Sequence, residues 1–396
     1  MLTPNTRRDF SWIYLVGIAV LITTHCLWKT TFIYYSIGDF CPMAYAEDIC
    51  RISCGVLCLY AVLSGQYRWW ELLAAALAIL VARHVALMSN YHYILWFTVP
   101  VVCAKGVKFD RVALIYAISS LCVLAFAFVL VKRGLILEQG FVGKTGQMRY
   151  ALGTAHPNTL GCQVFFSCVA ISYLRRNHPG VIGLLIDAAA MAFCYAVPYS
   201  RTCVVCIGLL ALATLAAMVF GAVEGKAPDA SRVLLKVAGV ILVCIPFACA
   251  AFSVLLCKNY DASIPWEAKL NVLMSGRFEL GRIAFDMYNA KPFGQVLRLY
   301  TSVGGYARFA LDNGYTRVLL QYGYITFLAA IAACTLTSIR GIRTGNYWLA
   351  VAMAIICIYC ISEAWLLHLA YNIFLIGLLA DLDPVEQPHT SEVKGN

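Results

Sequence analysis

The sequence predicts an all-α polytopic membrane protein of about twelve transmembrane helices, with a large external loop before the tenth. Three observations carry that reading. Hydrophobic residues make up 62% of the 396 positions and charged residues only 13%, with a mean hydropathy of +0.77. A soluble domain needs roughly twice that charged share to cover its surface. The apolar stretches are continuous rather than alternating, which argues against a β-barrel. Basic residues collect in alternate short loops between those stretches. Disorder and coiled coil are excluded by the same composition, and the 18 cysteines are scattered through apolar runs rather than framing a small disulfide scaffold.

At about 20 residues per helical span, a dozen spans use roughly 240 residues and leave some 150 for loops. The expected spans lie near 11–31, 48–65, 69–88, 91–104, 110–131, 157–174, 180–197, 201–222, 233–257, 315–338, 346–361 and 364–381. Arg7 and Arg8 precede a run too long for the core of a cleaved signal, so the first span reads as an anchor. The fourth is short and holds Pro100, which predicts a tilt, a kink or re-entry. Residues 1–396 are expected to form a single integral membrane domain.

Charge sets the orientation. Of 30 Lys+Arg against 20 Asp+Glu, the groups Arg68, Lys105/Lys108/Arg111, Arg175/Arg176, Lys226/Arg232/Lys236 and Arg340/Arg343 fall in alternate loops. The opposite turns are poor in Lys and Arg or carry Asp39, Glu47 and Asp48. The positive-inside rule then places both termini in the cytoplasm. The tail 382–396 is polar and Pro-bearing and is expected to be disordered. Segments 132–156 and 258–313 face outside despite their basic residues, because long loops translocate regardless of charge.

The polar signals concentrate in those outer segments. Arg149, Arg201, Arg277 and Arg282 lie near outer span ends or in a loop able to fold back, and such a group suits an anion such as phosphate. His156 and Asn158 flank Pro157 at the start of the sixth span, a good first helical residue. Asp312 and Asn313 lead into the tenth span, where Asp312 fits a helix N-cap as well as a catalytic carboxylate. Glu363, at an outer turn beside Trp365, is a lesser candidate. Cys203-Val-Val-Cys206 has redox spacing but sits in an apolar span, and Cys50, Cys54 and Cys58 share one helical face, where cysteine acts as a small hydrophobe.

Taken in order, Arg149…Gly153…His156-Pro-Asn158, Ser200-Arg201-Thr202, Ser275-Gly-Arg277, Pro292-Phe-Gly294 and Asp312-Asn313-Gly-Tyr315 resemble the O-antigen polymerase and O-antigen ligase superfamily of Wzy-type proteins. The likeness covers roughly residues 145–335. It implies a GT-C-like helical fold and transfer of sugars carried on undecaprenyl pyrophosphate at the outer leaflet of a bacterial cytoplasmic membrane. No metal and no cofactor are implied, and 258–313 corresponds to the active-site loop. By the resemblance, Arg201 and Arg277 hold the pyrophosphate, with Arg149, Asn158 and Asn313 as further substrate contacts. Asp312 is the first choice for the base and His156 the second. The ligases commonly carry a histidine where this chain has Asp312, a departure that favours a polymerase.

The implied partners are lipid-linked glycan donor and acceptor, the bilayer, and a flippase or chain-length regulator as candidates; no nucleic acid is implied. A ligase moving finished glycan to another acceptor is the nearest alternative. A secondary transporter is the alternative from another class, but no internal repeat is evident and the polar residues are not at mid-span.

Overall fold

The computed structural model describes residues 10–143, 146–224, 228–298 and 310–383. It is mostly helical: α1 (Ser11–Leu27), α2 (Ala46–Leu63), α3 (Trp69–Ser89), α4 (Tyr93–Val102) and α5 (Phe109–Lys132) precede a small hairpin of β1 (Gly140–Val142) and β2 (Met148–Tyr150). Then come α6 (Pro157–Leu174), α7 (Val181–Ala196), α8 (Arg201–Glu224), α9 (Pro228–Asn259), α10 (Pro265–Leu273) and α11 (Arg277–Met287). The series closes with α12 (Gly314–Arg317), α13 (Gly323–Arg343) and α14 (Tyr347–Tyr359). A π-helical turn, Val318–Tyr322, joins α12 to α13, so that Gly314–Arg343 runs on as one long element.

Among the described residues five helices are long and apolar enough to cross a membrane: α3, α5, α8 over Arg201–Phe220, α9 from Ser231, and the composite Gly314–Arg343. Only 22% of the most apolar stretch of α3 is buried inside the protein. Leu73, Leu77 and Leu80 on it are each more than 60% exposed, as are Val240 on α9 and Leu328 on α13. Contiguous apolar surface on this scale is costly in water and needs no cover in lipid. The chain therefore fits a multi-pass membrane protein.

Eleven of the twelve expected spans coincide with helices, several of them short. The ten residues of α4 rise about 15 Å, half a hydrocarbon core; Pro100 lies near its end. The twelfth, 364–381, is a correction: it is irregular apart from a 3-10 turn at Phe374–Leu378. It is nevertheless almost wholly buried, with Leu366, Ala370, Tyr371, Ile373 and Phe374 all inaccessible. Side chains replace the missing helical bonds. Asn372 Nδ2 donates to Leu366 O at 2.8 Å, its Oδ1 accepts from Phe374 N at 3.1 Å, and His368 Nδ1 accepts from Ala370 N at 3.2 Å. Non-helical backbone is tolerable at membrane depth only when protein surrounds it in this way. The β1–β2 hairpin is the second departure from an all-α chain.

Polar contacts gather at the two ends of the bundle. At one end Lys105 pairs with Glu71 at 2.6 Å and Arg176 with Asp110 at 2.7 Å. Asn346 donates there to Tyr173 Oη and to Asp383 O, and Phe109 N bonds Asp381 O. These are the basic loops that the charge pattern assigned to one side. Of the tail, 384–396 lies outside the described residues, whereas Asp383 is tied to Asn346. At the opposite end the 132–156 and 258–298 segments meet Thr30–Thr31, Pro198–Thr202 and Ser362–Trp365.

The core between the ends is rich in fully buried tyrosines whose hydroxyls bond main-chain carbonyls of other segments. Tyr14 Oη donates to Pro100 O at 2.8 Å, Tyr116 Oη to Ala370 O at 3.0 Å and Tyr315 Oη to Cys357 O at 2.8 Å. A phenol inside an apolar core usually finds such a partner, and each of these three bonds pins one segment against another.

Candidate functional site

Each site residue is positioned by a local device. Before β2, Glu138 accepts from the backbone N–H groups of Ala151, Leu152 and Gly153 at 2.9, 3.0 and 3.2 Å. Thr31 N bonds Gly153 O and Ala155 N bonds Lys29 O, which fixes this loop to the end of α1. Arg149, on β2, then donates from Nε to Pro198 O at 2.8 Å and from Nη2 to Asn158 Oδ1. His156 is the N-cap of α6, its Nδ1 accepting from Asn158 N at 3.1 Å, with Pro157 as the first helical residue. Its ring packs on Phe141, 4.6 Å between centroids. Arg201 opens α8 with its guanidinium 5.8 Å from the Tyr199 ring.

Arg277 opens α11. Ser275 and Gly276 take left-handed conformations, φ +60° and +88°, to make the turn before it. Asn271 Oδ1 then accepts from Phe278 N and Glu279 N and secures the helix start. Arg277 is only 8% exposed. It donates to Ser362 O, to Met274 O at 3.2 Å and to Glu363 Oε1 at 2.6 Å, and Asp312 Oδ2 stands 3.9 Å away.

Arg149, Asn158, Arg201, Arg277 and Glu363 all line one cavity of about 490 Å³. Arginines far apart in the chain thus converge on a space large enough for a diphosphate and part of a sugar. Arg282 does not join them; it is exposed and pairs with Asp286 at 3.2 Å. Neither Asp312 nor His156 is among the residues that line this cavity; Asp312 reaches it through the 3.9 Å contact to Arg277, and His156 lies near enough to Arg149 and Arg277 to feel both.

Two assignments change. Asn313, expected to touch substrate, is wholly buried. Its Nδ2 donates to Ser253 Oγ at 2.6 Å and to Ile361 O at 2.8 Å, while its Oδ1 caps α12 by accepting from Thr316 N at 2.9 Å. It is an anchor between α9, α12 and the turn after α14. The N-cap is therefore Asn313 rather than Asp312. That leaves Asp312 side-chain 43% exposed, with Arg277 across from it. Glu363, the lesser candidate, is the hub: it accepts from Arg277 and, at 3.4 Å, from Asn158 Nδ2.

Burial pushes the Glu363 carboxyl up to about 7, against the pull of Arg277. Burial also opposes the charge on Arg277, but Glu363 and Asp312 outweigh it and hold the guanidinium above its ordinary range. His156 is lowered by burial and then by Arg149, so its ring is neutral near pH 7. Because Nδ1 accepts the Asn158 N–H, the proton of that neutral ring is assigned to Nε2. A ring held that way has no free lone pair, and His156 can take a proton only by giving up the cap. Asp312 carries no such duty.

Among the described residues no three His, Cys, Asp or Glu side chains cluster as metal ligands would. The chain matches no protein-family model, no curated protein and no solved structure.

Proposed function

We propose that this protein polymerises lipid-diphosphate-linked oligosaccharides by inverting glycosyl transfer, as a GT-C-like membrane glycosyltransferase of the Wzy-type kind. It would work at the outer leaflet of a bacterial cytoplasmic membrane, with about twelve crossings and both termini inside. In that arrangement 364–381 is the twelfth crossing, an irregular segment leading from the cavity end at Glu363 to the far end at Asp381. The single observation that carries the reading is the convergence of Arg149, Arg201 and Arg277 on one cavity beside Asp312.

The chemistry follows from those groups. Breaking the bond between the anomeric carbon and the diphosphate oxygen leaves negative charge on the diphosphate. Arginines fixed at a low-dielectric membrane face stabilise that charge as it develops, with two-pronged contacts that lysine cannot reproduce. The acceptor's sugar hydroxyl attacks the anomeric carbon from the opposite face. It passes its proton to the Asp312 carboxylate, and the donor lipid leaves as its diphosphate. Arg277, already held by Glu363 and two main-chain carbonyls, enters the reaction in a fixed orientation, so little reorganisation is required.

The test is chain length from purified lipid-linked repeat units. Asp312→Asn keeps the shape and removes the proton acceptor, so polymer should fall on the order of 10²–10⁴-fold in rate. Because Asn313 makes the cap, this variant should melt like the parent. Full-length polymer from a folded Asp312→Asn protein would remove Asp312 from the mechanism. In cells, loss of the protein should leave single repeat units, whereas a ligase would leave finished chains untransferred.

A further inference from the structure

The polar and apolar faces of α10 are reversed. Glu267 and Asn271, one turn apart, are its buried residues. Glu267 Oε2 accepts from Asp261 N at 2.9 Å, and Asn271 secures the start of α11. Trp266, Val272 and Leu273 face outward instead and are 57%, 76% and 66% exposed. A surface helix of a soluble protein carries the opposite pattern. An outward apolar face with a tryptophan in its first turn suits the boundary between water and lipid. The chain holds α10 at such a boundary, because only residues 260–264 separate it from the end of the long apolar helix α9. The Asp261–Glu267 bond folds that link back onto α10, at the cavity end of the bundle.

The same helix is one wall of the arginine cavity. Val272, Leu273 and Met274 line it together with Arg149, Arg201 and Arg277. Ser275 and Gly276, both left-handed, turn the chain between Met274 and Arg277. Between Leu273 and Arg277 the wall therefore passes from apolar side chains open to the surroundings to a buried guanidinium held by Glu363. A soluble sugar phosphate has nothing to place against such a rim, and water beside it is costly. An amphiphile with an anionic head and a hydrocarbon chain matches both parts. A space of about 490 Å³ holds the head, so a long chain has to leave it. The α10 rim is the apolar way out.

We propose that Val272 and Leu273 form a lateral entrance to the cavity, and that this entrance takes the first part of the hydrocarbon chain of a lipid diphosphate whose head lies at the arginines. That the lipid is the glycan donor rests on the polymerase reading; the entrance for a lipid-borne diphosphate does not. Trp266, which is not among the residues lining the cavity, only seats α10 at the bilayer surface. The division of labour has a consequence for selectivity. The arginines hold a diphosphate whether or not it carries a chain, and the rim adds affinity only when the chain is present.

The test uses the full chain in nanodiscs of phosphatidylcholine, titrated by calorimetry with inorganic pyrophosphate and with farnesyl diphosphate. Partition of the farnesyl chain into the bilayer is the same for every variant, so the readout is the change in the ratio of the two dissociation constants. Val272→Asn combined with Leu273→Gln should cut the preference for farnesyl diphosphate about tenfold or more, the worth of about two buried methylene groups. Pyrophosphate should bind that variant as it binds the parent. Val272→Ile combined with Leu273→Met keeps the rim apolar and should keep the preference, whereas Arg277→Lys should weaken both probes alike. Both rim side chains are exposed, so the melting temperature should not move; Leu273→Ser alone is a second variant read in the same way. An unaltered preference in the polar variants, or an equal loss in Trp266→Gln, overturns the entrance. Displacement of farnesyl diphosphate by phosphatidylglycerol added to the nanodiscs would make this an ordinary headgroup contact and overturn it too.

Turnover separates the two ideas. A rim-dependent farnesyl preference in a protein that joins no lipid-linked repeats would sustain the entrance and reject the polymerase reading. Polymer formation by a parent whose farnesyl preference survives Val272→Asn with Leu273→Gln would do the opposite.

Discussion

Glu363 offers the sharpest test of the site's electrostatics. It is buried between Arg277 and Asn158 with a carboxyl pushed up to about 7, mainly by burial. A carboxyl whose folded value lies above its unfolded value of about 4.3 favours the folded state most when protonated. Its contribution is complete below pH 4 and is lost as pH rises through about 7. The gap from about 4.3 to about 7, at about 1.4 kcal/mol for each pH unit, gives about 4 kcal/mol across that window. Glu363→Gln keeps an oxygen for Arg277 and the bulk of the side chain but cannot titrate. The purified parent should therefore lose stability between pH 4.5 and pH 7.5 relative to the variant, and the two curves should run parallel above that. The measurement is a melting temperature in detergent across that range, parent against Glu363→Gln. Parallel curves throughout, or a parent that gains stability relative to the variant as pH rises, would show that the Arg277 charge dominates and that burial does not.

The remaining predictions concern named contacts. Arg277→Lys offers one ammonium for three acceptors spread over Ser362, Met274 and Glu363; glycan transfer should fall about 100-fold or more with protein still folded, as read by single-turnover kinetics. Asn313→Ala strands Ser253 Oγ and Ile361 O and removes the α12 cap; it should cost about 3 kcal/mol of stability in denaturant while the folded fraction keeps its rate per molecule. Gly294→Ala should prevent folding, since φ is +81° and a Cβ would stand 2.1 Å from Gln321 O; Gly140→Ala, facing only the Met148 sulfur at 3.3 Å, should be tolerated in the same expression assay.

How far the sequence could be read depended on the kind of signal. Helices with continuous apolar runs and clear boundaries were legible. α3, which starts at Arg68 with Glu71 accepting from its backbone N–H and ends on left-handed Asn90, lies within a residue of its expected limits. The segment 364–381 was not, because its apolar composition is that of a span. His368 and Asn372 offer the backbone an alternative to helix through hydrogen bonds to groups two to six residues away. The arginines of the cavity were visible as isolated charges at span ends. Glu363 reads from the sequence only as a lesser candidate, although a lone carboxylate in the apolar stretch 346–380 is the pattern that marks a functional or paired group in a membrane protein. Asp312 and Asn313 could not be told apart, since either caps a helix about equally well and only the three-dimensional neighbours of Asn313 decide between them.

That last division explains how the site can hold so much charge. Three arginines at one cavity repel one another and resist burial, so the surrounding structure has to be held by groups that are not themselves reactive. Asn313 ties α12 to α9, His156 caps α6, Asn271 caps α11, and Glu138 gathers the three N–H groups below Arg149. Each polar side chain bound in that way is unavailable for chemistry. The carboxylates divide along the same line: Glu363 is buried and shared between Arg277 and Asn158, whereas Asp312 is half-exposed beside the cavity with only a long contact to Arg277. A group that must accept a proton and release it needs access to water and freedom from structural bonds. Glu279 lines the cavity and is exposed but accepts from Asn271 Nδ2 at 3.3 Å, whereas Asp312 has only the long contact to Arg277, and the proposed base is for that reason Asp312 rather than Glu279, Glu363 or His156.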